Sequence, residues 1–144
     1  MKACTDLPTA ASPTALGTDA ELPEVAPFAA WLGLQMEGGA DGRGVLRLAP
    51  RPELLNRRGV IHGGVLATLL DSAMARASRT VEGVKDLGGT TDLHVQYMRP
   101  AQGGVRVEAW VEHAAHKLCF CRGEIRNADG ALVAAGSASL RLRR

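Results

Sequence analysis

The chain has 144 residues, 46% of them hydrophobic and 22% charged, and its 17 Lys and Arg against 15 Asp and Glu leave a net charge of +2. That length suits a single domain with a real core, and so even a balance gives no general electrostatic reason to bind nucleic acid. The aromatic residues Phe28, Trp31, Tyr97, Trp110 and Phe120 offer few platforms for stacking bases, and no apolar run approaches the roughly 20 residues of a membrane span.

Residues 1–24 are rich in Ala, Thr, Ser and Pro without periodic hydrophobicity, and are expected to form a flexible arm ahead of one domain over 25–144. The arm lacks the apolar stretch of a signal peptide, so a cytoplasmic location is expected. After Pro27 the run Phe28-Ala29-Ala30-Trp31-Leu32 reads as a short helix closed by Gly33. Residues 34–37 and 45–48 then read as two strands about a glycine-rich turn, the second ended by Pro50 and Pro52. Residues 62–80 differ in kind. At 100° per residue Val65, Leu66, Leu69, Leu70, Ala73 and Met74 share one half of the wheel, the signature of an amphipathic helix.

After a loop ending at Gly88-Gly89, alternation takes over. Thr91, Leu93, Val95 and Tyr97 form one set, and Val105, Val107, Ala109 and Val111 another. Residues 118–126 and 131–142 continue it across the turn Asn127-Ala128-Asp129-Gly130. Helix, two strands, long helix and four strands imply an antiparallel sheet packed on one central helix, an α+β fold. Cys4, Cys119 and Cys121 form no disulfide framework. Cys119 and Cys121 alternate with Leu118, Phe120 and Arg122, which reads as packing rather than as a catalytic thiol.

The long helix has an unusual polar face. Asp71 lies opposite the apolar stripe, its helical neighbours are Gly64, Ala67, Thr68, Ala75 and Ser78, and no other acid falls between Glu53 and Glu82. A solvated helix face normally carries Lys, Glu and Gln, so this uncharged setting favours a functional Asp71. At the helix start, Gly63 and Gly64 leave backbone N–H groups sterically open at the positive end of the dipole, where an oxyanion is welcome. Asp71 lies about 10 Å along the axis from Gly64, too far for one helix to serve a single carbonyl with both groups. Two such helices about a two-fold axis bring each Asp71 to the partner's glycine pair, and two-fold dimers are the commonest oligomers.

The segment Asn56-Arg57-Arg58-Gly59-Val60-Ile61-His62-Gly63-Gly64, with Asp71 nine positions after His62, resembles the phenylacetate-pathway (PaaI-like) branch of hotdog-fold acyl-CoA thioesterases. The resemblance covers about residues 25–142. It implies a hotdog fold, a curved antiparallel sheet of five to six strands around one long helix. It also implies hydrolysis of a small, medium-chain or aromatic acyl-CoA, with coenzyme A as part of the substrate and no separate cofactor. Asp71 would be nucleophile or general base, and the N–H of Gly63 or Gly64 from the other subunit would polarise the carbonyl. Asn56 would hold water or thioester, His62 would contact the thioester or brace the loop, and Thr90 or Thr91 would assist the carboxylate. Gly64, Arg57, Arg58 and Thr68 would bind substrate, the arginines toward the phosphates. The assembly would be a dimer with shared sites or a dimer of dimers.

Other readings are weaker. His113 and His116, with His94 elsewhere, lack the Cys or acid partners of a metal site. Trp110, among Arg106, Glu108 and Glu112, suits an exposed contact, and Arg99, Arg141, Arg143 and Arg144 suit either phosphate binding or a solubilising tail. A hotdog dehydratase pairs a catalytic His with a helix acid in a His-Phe-Pro-Gly context absent here, although His62 and Asp71 could imitate the pair. A non-catalytic acyl-CoA-binding module is the remaining alternative.

Overall fold

The computed structural model describes residues 25–144, so the expected arm and its Cys4 lie outside the described residues. The elements run α1 (Pro27–Leu32), β1 (Gln35–Gly38), β2 (Arg43–Leu48), a single 3-10 turn (Pro52–Leu54), α2 (Gly63–Arg79), β3 (Asp86–Tyr97), β4 (Val105–Ala114), β5 (Leu118–Asn127) and β6 (Leu132–Arg143). All six strands join one sheet in the order β1-β2-β4-β5-β6-β3, every pair antiparallel. This is the α+β architecture expected from the alternation, with β1 and β3 as its edges. Among the described residues no helix is long and apolar enough to cross a membrane.

Local chemistry sets the boundaries. Pro27 opens α1, where a missing N–H costs nothing, and Gly33 closes it at φ 78° while donating back to Ala29 and Ala30. In α2 the buried residues Leu66, Leu69, Leu70, Ala73, Met74 and Ala77 carry the apolar stripe. They pack on inward residues of the strands, among them Leu48, Val107, Ile125 and Leu140. Fully burying a leucine stabilises by about 1.5–3 kcal/mol, so this single interface anchors the helix. Two close approaches fix its position. A Cβ on Gly44 of β2 would stand 2.5 Å from the Ala73 carbonyl, and Cβ atoms on Gly123 and Gly136 would meet the Leu70 methyls at 3.0 and 3.1 Å.

The structure departs from the alternation pattern in three places. Gly88 and Gly89 do not end a loop; they lie inside β3, which begins at Asp86 and slips register between Leu87 and Gly89. Ser78 leaves the face of Asp71 and is fully buried, its hydroxyl donating to the Met74 carbonyl at 2.9 Å beside Cys119 and Cys121. A hydroxyl bonded to its own helix satisfies itself, which makes that burial cheap. The last arginines are not a tail. Arg141 and Arg143 belong to β6, and Arg144 donates to the His116 and Glu82 carbonyls at 3.2 and 3.0 Å.

The two buried cysteines pack as expected, unbridged, with their sulfurs 3.6 Å apart. Hydrogen bonding from Cys121 and then Ser78 draws the Cys119 thiol below its ordinary range against the effect of burial, while the same thiol contact and burial push Cys121 up. Both are sealed beneath α2, away from any cavity described below.

Candidate active site

Asp71 sits midway along α2, partly buried, on the side away from the core. Its Oδ1 accepts a hydrogen bond from the Thr90 hydroxyl at 2.6 Å. Thr91 is placed differently, donating to the Ser139 carbonyl at 2.9 Å and to Asp92 at 3.2 Å. The cause is a second register slip in β3. Thr90 faces Leu140 and Asp92 faces Ser139, so Thr91 is the extra residue of a bulge. Unbroken alternation would have set Thr91 with Leu93, Val95 and Tyr97; the bulge turns Thr90 toward the helix instead. With Oδ1 held by Thr90, Oδ2 has no donor among the described residues and is free to meet a water or an electrophile.

The start of α2 is built by its own loop. Asn56 Oδ1 accepts from the Arg58 N–H at 2.8 Å and, at 3.5 Å, from that of Val60, while the Asn56 N–H donates to the Val60 carbonyl. This Asx turn presents the segment leading to His62, and leaves the Asn56 Nδ2 donors without a partner among the described residues. His62 caps the helix, its Nδ1 accepting the Gly64 N–H at 2.9 Å. An accepting Nδ1 places the proton of a neutral ring on Nε2. The cap also separates the two glycines: the Gly64 N–H is committed to His62, whereas the Gly63 N–H has no partner among the described residues. Of the two donors the sequence offered, Gly63 is the open one.

Tyr97 belongs beside this pair. Its hydroxyl donates to the Gly63 carbonyl at 2.9 Å, and a Cβ on Gly63 would touch its ring at 3.4 Å. The sequence carried a faint signal for it, a tyrosine at the end of the alternating run that follows the helix. Thr68 donates to the Gly64 carbonyl at 3.0 Å, which leaves its oxygen as an acceptor. Arg57 and Arg58 are exposed on the turn before the helix, and neither side chain has a partner among the described residues. The structure thus gathers Asn56, His62, Gly63, Gly64, Thr68 and Tyr97 at one end of α2, and pairs Asp71 with Thr90 farther along.

These two groups do not share a cavity within one chain. His62, Gly64 and Thr68 line a cleft of about 290 Å³ together with Phe28 and Trp31 of α1. Asp71 lines another, of about 520 Å³, bordered by Leu34 and Met36. Eight residues from Gly63 to Asp71 span about 12 Å along the helix. A third concavity, of about 600 Å³, lies on the opposite face of the sheet between Arg47, Arg106 and Trp110. There the Trp110 indole donates to Glu112 at 2.7 Å, and neither Asp71 nor the helix start reaches it. His113 is exposed at the end of β4, and no group of three metal-ligating side chains occurs among the described residues.

A carboxylate oriented by a hydroxyl, an unpaired N–H at a helix start and an unpaired amide form a set suited to acyl transfer. The family model for the thioesterase superfamily matches residues 58–134, more than half of the chain, and spans α2 with its glycine pair, Asp71 and Thr90. The chain belongs to the thioesterase superfamily. Its fold is the hotdog fold of that superfamily. A solved variant of the phenylacetic acid degradation protein PaaI from Thermus thermophilus superimposes with a TM-score of 0.70 at 31% identity, covering 81% of this chain and 98% of the other. Human acyl-coenzyme A thioesterase 13 is 29% identical over 106 residues, 72% of this chain and 75% of that protein. An esterase candidate from Halobacterium salinarum is 37% identical over 86 residues, and the match spans only 57% of that relative's length.

Proposed function

We propose that the chain hydrolyses an acyl-CoA thioester to free acid and coenzyme A, at sites shared between two copies. The observation that carries this reading is the Thr90 hydroxyl on Asp71 at 2.6 Å, which fixes one carboxylate oxygen and leaves the other open. Asp71 either takes a proton from water, whose oxygen then attacks the thioester carbon, or attacks that carbon itself, in which case the mixed anhydride left after the thiolate departs is hydrolysed by water to free the acid and restore the carboxylate. The negative charge growing on the carbonyl oxygen falls to the partner subunit's Gly63, whose N–H has no partner among the described residues of one chain. The carbon–sulfur bond then breaks and the thiolate leaves with its electron pair. A thiol of ordinary pKa, about 8.5, departs without a strong general acid, so one carboxylate and one oxyanion donor suffice. Asn56 Nδ2 steadies the water or the thioester, and His62 holds the loop. Gly64 and Thr68 border the substrate, with Arg57 and Arg58 toward its phosphates.

Pairing of two copies is supported by what one chain leaves uncovered. Tyr97, Phe28 and Trp31, all beside the start of α2, are 55%, 58% and 59% exposed, and Leu93 of β3 is 37% exposed. β3 is an edge strand of twelve residues whose outer side has no strand partner among the described residues, the kind of edge that another chain covers. Thiol release from a panel of acyl-CoAs tests the reading, with Asp71→Ala and Asp71→Asn beside wild type. Release by wild type and its loss in both variants is expected. Binding of acyl-CoA without release would make the protein a binding module, and hydration of an enoyl thioester without hydrolysis would make it a dehydratase.

A further inference from the structure

Beyond Asp71, the exposed flank of α2 carries charges of an unusual kind. Arg76 and Arg79 stand one turn apart on the helix, and Lys85 lies just before β3. All three line the same cavity as Asp71. None of their side chains has an acid or a hydrogen-bond acceptor among the described residues, and the Nε of Arg76 is buried without a partner. It lies beneath the β1–β2 turn, where a Cβ on Gly39 would stand 3.4 Å away. Asp86, the other acid of the cavity besides Asp71, is engaged by Arg143 at 3.7 Å. A buried guanidinium donor left unmet carries its desolvation penalty without compensation, so this arrangement calls for an anion.

The geometry of the cavity limits which anion. Arg76 lies five positions and Arg79 eight positions after Asp71, about 7.5 and 12 Å along the axis. Leu34, Met36, Leu46 and Ala75 form an apolar wall over that interval. We propose that this cavity receives the acyl part of the substrate and that the far end of the acyl group bears a carboxylate. The substrate class is then an ω-carboxyacyl thioester of medium length, its methylenes on the apolar wall and its carboxylate among Arg76, Arg79 and Lys85. The phosphates of coenzyme A are the other anions within the substrate. They fit less well, because the extended pantetheine arm exceeds this interval and its amides find no partners on an apolar wall.

The assignment rests on the hydrolase reading, so its test has an arm that needs no turnover. In the first arm, kcat/KM is measured for suberoyl-CoA and octanoyl-CoA with wild type and with Arg76→Gln/Arg79→Gln. Wild type should favour suberoyl-CoA, and the double variant should cut that preference by about tenfold or more, as expected for lost charge-assisted hydrogen bonds. An equal fall for both substrates would place a phosphate there and overturn the assignment, as would a wild type indifferent to the carboxylate. In the second arm, calorimetry follows free suberate and free octanoate binding to the same proteins. Suberate binding that weakens about tenfold in the double variant supports the pocket even if no thioester is hydrolysed. Equal binding of the two acids by wild type overturns it even if hydrolysis is confirmed. Unchanged thermal melting of the double variant separates lost recognition from lost folding.

Discussion

The two faces of this molecule use charge in opposite ways. On the outer face of the sheet, Arg47 and Arg106 stand directly opposite each other on β2 and β4, a repulsive placement. Glu37, the extra residue of the β1 bulge, lies between them at 2.8 and 2.9 Å, and Glu108 links Arg106 to Arg43 at 3.2 and 3.3 Å. On the helix side Arg76, Arg79 and Lys85 have no acid partner among the described residues, the acid midway along the helix is held by a hydroxyl instead of a cation, and the Gly63 N–H has no partner among the described residues. Charges that answer each other across strands serve the fold. Charges and donors left unanswered beside a cavity are available to a ligand.

The contrast can be broken by substitutions on each side. Asp71→Asn should lower kcat by about 10²–10⁴-fold, the usual scale for a lost acid–base group, with unchanged melting; a comparable loss from an outer-face substitution would erase the distinction. Leu70→Ala tests what holds the helix to the sheet. It should destabilise by about 2–5 kcal/mol in denaturant titrations, because Leu70 is fully buried in the notch at Gly123 and Gly136.

Thr90→Val against Thr91→Val sharpens the reading of the bulge. Loss of a hydrogen bond to a carboxylate is worth about 1.5–3 kcal/mol, so the first should lower kcat by at least about tenfold. The second should leave it within about twofold, since Thr91 donates to the Ser139 carbonyl of β6 and to Asp92 and makes no bond to Asp71. Equal effects would mean that the bulge does not select Thr90.

The smallest effect belongs to Glu37→Gln. The Arg47 hydrogen bond, opposed by partial desolvation and joined by Arg106, holds the Glu37 carboxyl below the usual carboxylate range. A lowered pKa stabilises the fold above the unfolded value, about 4.3, and that contribution is lost as pH falls through the folded value. The variant should therefore melt slightly lower than wild type at neutral pH, with the gap closing in acid and in high salt, and activity should be retained.

How much of this was legible in the sequence depends on whether one chain segment sufficed. The period of 3.6 in residues 62–80 and the period of 2 in the later runs give the helix and most strands, because each reflects burial of one face. Asp71 stood out by composition alone. Thr90 could not be separated from Thr91, since a bulge depends on the partner strand β6 and breaks the count locally. The choice of Gly63 over Gly64 needed the His62 ring position, a side-chain fact. Ser78 was misplaced for a related reason: its hydroxyl is satisfied by its own helix, so its polarity said nothing of exposure. That Arg76 has no partner among the described residues depends on β1 and β2 lying over it.

The central claim, that Asp71 works against the glycine of a second copy, is tested by mixing inactive subunits. Asp71→Ala chains and Gly63→Val chains are each expected to be inactive as homodimers. In verified mixed dimers one of the two sites regains both groups, so thiol release should return to about half that of the wild-type dimer. Mixed dimers that assemble and release no thiol would contradict the shared site.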